Sequence, residues 1–399
     1  MKNLRRFCSL LIVLTAPLAL LAVRGGATAS PAKLYRAYVG TYTAKTESKG
    51  IYEFAFDSTT GKMSAIEVAG ETKDPSWVVV HPNGKFLYSV NEAGKASTVS
   101  AFAIEPASGK LTQLNQMPAL GEDPCYLSFD KTGKFLFVAN YTSGNVVAFP
   151  ILADGKLGEH TGLQQDRGTL GPNKERQEAP HAHWIRQMRD QVFVADLGLD
   201  RILVYKFDPA KGVLGPMPAP GPDNIRPQGP VVLSPGSGPR HVAISRAAEG
   251  NLMTFMYVLG EIDSSITMMG TTKEGDFGGA GQKIPLLPAD FSGRNDAAEI
   301  EIHPNGRFLY ASNRGHDSIV VYEIEKERGR LSQVADVPTG GKEPRHFAID
   351  PTGHFLLAEN QLSDTIVEFR IDPATGKLTP TGQTISVPSP VCIAFLPNE

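Results

Sequence analysis

The stretch HPNGKFLYSVN at residues 81–91 recurs with few changes as HPNGRFLYASN at residues 303–313. Two further copies are FDKTGKFLFVAN at 129–140 and IDPTGHFLLAEN at 349–360, and three weaker copies complete a set of seven. The copies end at Gly40, Asn91, Asn140, Asp196, Gly260, Asn313 and Asn360. A repeat of about 50 residues that combines β-rich runs with turns is typical of the blades of a β-propeller.

Each copy is followed by a strand with alternating apolar residues and a glycine-containing turn. Two examples are DSIVVYEIEKERGRL at 317–331 and DTIVEFRIDPATGKL at 364–378. The alternation predicts β-hairpins. No stretch sustains a 3.6-residue period, which argues against helical solenoids and parallel α/β folds.

The two ends of the chain complete each other. The last opening strand, SPVCIAFL at 389–396, has no copy of the repeat after it, and the first copy, LYRAYVG at 34–40, has no opening strand before it. We therefore predict an all-β fold, a single seven-bladed β-propeller over residues 30–399, with ring closure between the N- and C-terminal strands. Residues 158–178, 213–236 and 276–296 interrupt the period and are predicted to form long loops.

The first 29 residues have the pattern of a signal peptide. Positive charges at Lys2, Arg5 and Arg6 precede an apolar run of 14 residues, and Ala27-Thr28-Ala29 follows as a cleavage site. An uncleaved anchor is the alternative, although a membrane-spanning helix needs about 20 apolar residues. The sequence thus predicts a periplasmic or secreted protein that has no membrane contact after cleavage.

Composition narrows the class of partner. The chain has a formal net charge of −3 with 20% charged and 41% hydrophobic residues, so it lacks the basic excess of a nucleic-acid-binding protein. After removal of the signal only Cys125 and Cys392 remain, too few for a disulfide framework. We expect a monomer that binds a small molecule and no nucleic acid.

Two columns of equivalent residues are predicted to line the central channel. The column after the opening proline contains Ser76, Cys125, His181, Arg240, Ala298, Arg345 and Val391. The column after the repeated strand contains Thr41, Glu92, Tyr141, Leu197, Glu261, Arg314 and Gln361. If both open on the same face, basic and acidic groups meet in one cavity. That combination favours an anionic substrate held by guanidinium groups, with a carboxylate or an imidazole for proton transfer.

Each feature also has a purely structural interpretation. Glutamate and arginine in adjacent columns form a salt-bridge network in that interpretation, with Glu92 the first candidate, and the asparagines that end the repeats bind turns rather than ligands. His241 and His346, in the next column with Trp77 and Tyr126, are expected to pack on the other side of the strand.

A metal site is a further alternative for the histidines. His181 and His183 at positions i and i+2 of a strand share a face, and Asp196 is a third candidate ligand. Neighbouring arginines repel a cation, so we expect no metal. Because no GxSxG, P-loop, CxxC or dinucleotide-binding motif occurs, no cofactor is expected either.

Several longer strings resemble one known family. PSWVVVHPNGKFLYSVNE (75–92), GPRH (238–241), SNRGHDSI (312–319) and PVCIAFLP (390–397) are similar to the seven-bladed lactonase family, which includes propeller-type bacterial 6-phosphogluconolactonases and is related to fungal carboxy-muconate lactonizing enzymes. The resemblance runs from Tyr38 to Pro397. It implies hydrolysis of a sugar-type lactone without a required metal.

The resemblance also implies site residues. It puts the family's active-site histidine, glutamate and two arginines on His181, Glu261, Arg240 and Arg314, and we expect Arg345, His183 and Glu92 to contact the substrate. Whether His181 or Glu261 activates water is left open. A phosphorylated substrate fits poorly with export, which points to an unphosphorylated lactone.

Two other functions stay open. The strings FVAN and YASN also resemble the YVTN-type repeats of surface propellers, which would make the protein a non-enzymatic binding scaffold. A calcium-dependent gluconolactonase would need a cluster of acids and amides that the columns do not contain. The charged columns favour the enzyme.

Overall fold

The computed structural model describes residues 33–216, 231–245, 254–271 and 277–396. These residues form seven antiparallel sheets, and the chain from Ala32 onward forms one compact unit. The innermost strands contact one another in a closed circle, so the sheets are the blades of a ring. The predicted seven-bladed propeller is confirmed. The predicted signal peptide at residues 1–29 lies outside the described residues.

Each blade has its first strand at the channel and its last strand at the outer edge. Blade 1 contains β29 (Pro390–Phe395), β1 (Leu34–Thr41), β2 (Gly50–Asp57) and β3 (Glu67–Glu71). Blade 2 contains β4 (Val78–Val80), β5 (Phe86–Asn91), β6 (Thr98–Ile104) and β7 (Leu111–Pro118). Blade 3 contains β8 (Pro124–Phe129), β9 (Phe135–Asn140), β10 (Asn145–Pro150) and β11 (Gly162–Gln165). Blade 4 contains β12 (Ala182–Met188), β13 (Gln191–Asp196), β14 (Arg201–Asp208) and β15 (Val213–Pro216), with β16 (Val231–Val232) also paired to β14.

The remaining three blades follow the same plan. Blade 5 contains β17 (Pro239–Ile244), β18 (Phe255–Gly260), β19 (Ser265–Thr271) and β20 (Phe277–Pro285). Blade 6 contains β21 (Asp296–Ile302), β22 (Phe308–Arg314), β23 (Ser318–Ile324) and β24 (Leu331–Pro338). Blade 7 contains β25 (Pro344–Ile349), β26 (Phe355–Asn360), β27 (Thr365–Ile371) and β28 (Leu378–Ser386). Two short 3₁₀ turns, Gly94–Ala96 and Gln361–Ser363, are the helical elements of the described chain, and none of its helices is long and apolar enough to cross a membrane.

Ring closure occurs in blade 1, as predicted. The C-terminal β29 pairs with the N-terminal β1, and Ile393 lies opposite Val39. Cys392 in β29 and Cys125 in β8 are both buried and free. Because the chain ends share one sheet, the circle is closed by backbone hydrogen bonds rather than by a disulfide.

Two of the predicted long loops contain outer strands instead. Residues 276–296 include β20 (Phe277–Pro285), and residues 213–236 include β15 and β16, while 217–230 lie outside the described residues. Residues 158–178 include β11, after which no named strand occurs until β12. The loop predictions were wrong there because a fourth strand, exposed on the outer edge of its blade, carries little of the apolar alternation that identifies strands from sequence.

The repeated tyrosine links neighbouring blades. Tyr88 donates to the Gly155 carbonyl of blade 3 over 2.8 Å, and Tyr310 donates to the Gly376 carbonyl of blade 7 over 2.8 Å. The receiving glycines lie in left-handed turns, with φ of 84° at Gly155 and 71° at Gly376. The FLY motif and the GK turn are therefore the two halves of one contact between blades, which explains why both recur.

The asparagines that end the repeats bind backbone, as predicted. Asn140 donates its side-chain amide to the Ala119 carbonyl over 3.1 Å, and Asn313 donates to the Leu286 carbonyl over 3.3 Å. Both carbonyls belong to the chain that leaves an outer strand. These bonds fix the path toward the next inner strand, and so they fix where the channel residues begin.

Candidate active site

Two rings of side chains surround one mouth of the channel. The upper ring consists of the residues that follow each second strand, and the lower ring lies near the start of each innermost strand. The upper ring is Tyr42, Glu92, Tyr141, Leu197, Glu261, Arg314 and Gln361. The lower ring is Ser76, Cys125, His183, Arg240, Ala298, Arg345 and Val391.

Two members of the predicted columns were wrong because of a shift in register. Trp184 pairs with Ala195 as Tyr126 pairs with Ala139, so the lower ring receives His183 and not His181. Thr41 pairs with Pro390 and hydrogen bonds to the Gly50 carbonyl within its own blade. Tyr42 takes its place in the upper ring. The cause is the irregular register of the inner strands, which a comparison of sequence strings does not reveal.

Arg240, Glu261 and Arg314 form the charged centre of the mouth, as predicted. Arg240 donates to Glu261 Oε2 over 2.8 Å, contacts His183 Nε2, and donates from Nε to the Ala298 carbonyl over 2.8 Å. Arg314 Nη2 lies 3.3 Å from Glu261 Oε1. A salt-bridge network is therefore present, but it is centred on Glu261 rather than on Glu92.

Arg314 has unused hydrogen-bonding capacity. Its Nε donates to the Asp296 carbonyl over 3.2 Å, yet its Nη2 makes no hydrogen bond to any residue of the described chain. The side chain is only 9% exposed. A buried cationic donor without an acceptor is costly, and an anionic or carbonyl oxygen would satisfy it.

Burial and charge set the protonation states of this centre. Burial raises the pKa of Glu261, but the Arg314 and Arg240 guanidinium groups outweigh it and hold that pKa well below its usual range. Burial, with Arg240 and Arg345 nearby, lowers the pKa of Arg314 to about 10 against the opposing effect of Glu261. Burial and Arg240 lower the pKa of His183. Near neutral pH Glu261 is therefore an anion, His183 is uncharged, and Arg314 keeps its charge.

The opposite wall of the mouth holds Arg345 and Glu92, joined through Tyr42. Glu92 Oε2 accepts hydrogen bonds from Tyr42 Oη over 2.7 Å and from Ser76 Oγ over 2.6 Å. Arg345 donates to Tyr42 Oη over 2.9 Å. Burial raises the pKa of Tyr42, which keeps the phenol neutral. This wall supplies a carboxylate and a guanidinium group that are suited to the hydroxyls and oxygens of a polar ligand.

His181 lies above the lower ring and contacts Tyr141. Its ring stacks on the Tyr141 ring with centroids 4.5 Å apart, and Nδ1 lies 3.0 Å from the Tyr141 carbonyl oxygen. Because a carbonyl only accepts, Nδ1 carries the hydrogen and Nε2 keeps a lone pair in the neutral ring. Tyr141 also contacts His183 edge-to-face at 5.6 Å, so His181 adjoins the charged centre through this tyrosine.

Sequence reasoning missed Arg176 and Glu178, which come from the chain between β11 and β12. Arg176 Nη1 donates to Asp296 over 3.0 Å, and its Nη2 contacts Glu261 Oε1. Glu178 Oε1 lies 3.1 Å from His181 Nε2. Neither residue occupies a repeat position, so no column contained a signal for them.

The three candidate metal ligands do not fit a common ion. A register shift in β12 separates the faces of His181 and His183, so the i, i+2 argument fails. His183 Nε2 faces the Arg240 guanidinium group, and Asp196 Oδ1 accepts from the backbone amides of His181 and Leu199. In the described part of the chain no group of three or more His, Cys, Asp or Glu side chains is arranged to hold a metal. Absence of a metal requirement stays a prediction.

Comparison with known proteins agrees with this geometry. Residues 36–395 match the family model described as lactonase, 7-bladed beta-propeller. The chain belongs to this family. The resemblance predicted from the sequence strings is thereby confirmed.

Individual relatives cover nearly the whole lactonase. It is 36% identical over 365 residues to a 6-phosphogluconolactonase of Bacillus subtilis, covering 91% of this chain and 98% of that protein. It is 32% identical to a 6-phosphogluconolactonase of Formosa agariphila, covering 78% of this chain and 85% of that one. The crystal structure of a periplasmic gluconolactonase of Pseudomonas aeruginosa superimposes with a TM-score of 0.82 at 31% identity, covering 92% and 99% of the two chains.

A third ring closes the channel of the lactonase beneath the site. His241, Glu299 and His346 face the channel together with Trp77, whose ring lies 5.3 Å from both histidine rings although these belong to blades 5 and 7. His241 lies 2.8 Å from Glu299, and His346 lies 2.5 Å from Glu359. The prediction that these histidines pack on the other side of the strand was wrong. The irregular register in β25 and its equivalents turns two successive side chains toward the channel.

The third ring gives the lactonase a predicted pH dependence of stability. Burial lowers the pKa of His346, but the Glu359 and Glu299 carboxylates raise it to about 9, above its ordinary value of 6.5. The charged form is favoured by folding, so its contribution is complete below about pH 6.5 and is lost as the pH rises through 9. At about 1.4 kcal/mol per pKa unit, the loss is at most about 3 kcal/mol.

Urea unfolding of the wild type and of His346→Gln at pH 6, 7.5 and 9 measures this loss. We expect the free energy of unfolding of the wild type to fall more steeply across this range than that of the variant. His354→Gln, at an exposed histidine of the same blade, is the matched control and should follow the wild type. Parallel curves for the wild type and His346→Gln would contradict the assignment.

Proposed function

We propose that the lactonase hydrolyses a sugar-type lactone bound at the channel mouth between the Arg314 and Arg345 walls. The observation that carries the proposal is the buried Arg314 Nη2, which makes no hydrogen bond to the described chain and adjoins Arg240 and Glu261. Such a donor is suited to the oxygen of a lactone carbonyl, on which negative charge develops when water attacks. Membership in the lactonase family supports this function.

His181 is the base in this proposal. Both oxygens of Glu261 face guanidinium groups, which hold its pKa well below the usual range, so it is a weak proton acceptor. His181 has its hydrogen fixed on Nδ1 by the Tyr141 carbonyl and keeps the Nε2 lone pair to accept a proton. The alternative that sequence left open, Glu261 as base, is therefore disfavoured.

The reaction then runs in two steps. His181 Nε2 takes a proton from water as the water oxygen bonds to the lactone carbonyl carbon, and the resulting oxyanion faces Arg314. The tetrahedral intermediate collapses, the bond from carbon to the ring oxygen breaks, and the ring oxygen takes the proton back from His181. The product is an open-chain hydroxy acid. Glu261 keeps Arg240, Arg314 and Arg176 in place by charge, and Glu92 accepts hydrogen bonds from substrate hydroxyls.

The substrate we propose is an unphosphorylated aldonolactone such as glucono-1,5-lactone. The N-terminal pattern of residues 1–29 indicates export, and one structural relative is a periplasmic gluconolactonase, whereas two other relatives are named 6-phosphogluconolactonases. We accordingly place the mature protein, residues 30–399, in the periplasm or outside the cell. N-terminal sequencing of the exported protein tests the cleavage after Ala29.

A pH-stat assay tests the proposed function. We expect glucono-1,5-lactone to be opened well above its spontaneous rate and with a higher kcat/KM than 6-phosphogluconolactone, and EDTA to leave the rate unchanged. Preference for the phosphorylated lactone would overturn the substrate assignment but not the activity. Rates at the spontaneous level for both lactones would favour the binding scaffold, and loss of activity with EDTA would favour a calcium-dependent enzyme.

A further inference from the structure

Residues 173–178, between β11 and β12, form a fixed segment beside the channel mouth. The buried Gln177 side chain anchors it by donating to the Leu197 carbonyl and to Asp200 Oδ1, each over 2.8 Å. Gln177 Oε1 accepts from the Asn173 amide over 3.0 Å, which closes the segment on itself. A Cβ at Gly171 would lie 2.1 Å from that same oxygen, so the packing around the anchor is tight. The positions on either side of Gln177 are therefore held in place.

The residue after the anchor reaches the imidazole of His181. Glu178 Oε1 lies 3.1 Å from His181 Nε2, on the side of the ring opposite the Tyr141 carbonyl. The Glu178 side chain is 57% exposed, whereas that of His181 is 5% exposed. The carboxylate thus approaches from the solvent side of the mouth and faces the nitrogen that keeps its lone pair.

We propose that Glu178 is a positioning residue that stabilises the protonated form of His181 during hydrolysis. The inference rests on the proposed function, in which His181 takes a proton from water. Once Nε2 is protonated, both ring N–H groups have acceptors, the Tyr141 carbonyl at Nδ1 and the Glu178 carboxylate at Nε2. A charge-assisted hydrogen bond that exists only after proton transfer favours the transition state over the resting state.

Other groups that face His181 do not replace the Glu178 carboxylate. Tyr141 stacks on the ring and is kept neutral because burial raises the pKa of its phenol. Asp196 accepts the His181 backbone amide over 2.9 Å, from the end of β13, and His183 lies further along β12. Partial burial opposes the shift, but its own backbone amide and His181 lower the pKa of Glu178, so it is ionised near neutral pH. Arg176, on the same segment, contributes to that lowering.

The test compares Glu178→Gln and Glu178→Asp with the wild type, using glucono-1,5-lactone over pH 5 to 8. We expect Glu178→Gln to lower kcat about three- to ten-fold with KM within about two-fold. The acidic limb of its kcat/KM profile should move about half a pH unit toward lower pH, because the protonated imidazole loses its anionic partner. Glu178→Asp should restore part of that shift. Glu175→Gln, at an exposed glutamate of the same segment, removes the same charge and should follow the wild type.

Two results would overturn the inference. One is a Glu178→Gln profile with an unmoved acidic limb, whatever its kcat, since a merely structural role predicts a loss without a shift. The other is an equal shift in Glu175→Gln, which would indicate a general effect of net charge. Failure of the proposed function looks different: His181→Gln would then keep wild-type turnover. If His181→Gln is inactive while Glu178→Gln matches the wild type, only the role of Glu178 is refuted.

Discussion

Arg314→Ala is expected to lower kcat for lactone hydrolysis by about 10²–10³-fold, the usual cost of removing one donor to a developing oxyanion. Its Nη2 is the buried donor that lacks an acceptor in the described chain, and its Nε is held by the Asp296 carbonyl over 3.2 Å. The guanidinium group is therefore oriented before substrate arrives. A group that binds the oxyanion and not the ground-state carbonyl lowers kcat on removal and changes KM little.

Pre-steady-state and steady-state rates by pH-stat or by a coupled pH indicator measure this loss. Arg314→Lys keeps the positive charge but not the planar fork, and it should recover only part of the rate. The matched control is Arg307→Ala at the other end of β22, where the guanidinium group lies 3.7 Å from Glu323 and both side chains are more than half exposed. That variant should match the wild type. A fall confined to KM would mean that Arg314 binds the substrate's own charge instead.

The fold followed from the sequence because its repeat encodes contacts between blades. Tyr310 and Gly376 occupy positions that recur in other copies, and Tyr88 and Gly155 make the same hydrogen bond from one sheet to the next. The unpaired strands at the two ends of the sequence then required closure in one blade. Outer strands such as β20 escaped detection because their composition reflects one exposed face and a sheet edge.

The site followed only in part, since repeat columns identify positions that all blades share. Arg240, Glu261 and Arg314 stood out as charged departures from otherwise bland columns, and the structure brings them together. Alignment by strings misassigned the places of His183 and Tyr42 to neighbouring residues, because irregular register in the inner strands shifts the pattern by one or two residues. Arg176 and Glu178 lie in an insertion, where no second copy exists for comparison.

His181→Gln is expected to lower kcat by about 10²–10⁴-fold, the range found for loss of a general base. The imidazole combines a tautomer fixed by the 3.0 Å contact between Nδ1 and the Tyr141 carbonyl with a second nitrogen that accepts a proton. Stacking on Tyr141 at 4.5 Å holds the ring plane, and glutamine preserves a polar side chain without a comparable base. Added imidazole should restore part of the rate in this variant, and His160→Gln, at an exposed histidine, should behave as the wild type.

The comparison with Glu261→Gln decides between the two bases. Glutamine at 261 removes the anion shared by Arg176, Arg240 and Arg314, so we expect a higher KM and weaker binding of product from loosened arginines. The pH profile of that variant should keep the acidic limb of the wild type, because the group that titrates there is still present. If instead Glu261→Gln abolishes the acidic limb and His181→Gln retains turnover, then Glu261 is the base despite its three cationic neighbours, and the roles of the two residues must be exchanged.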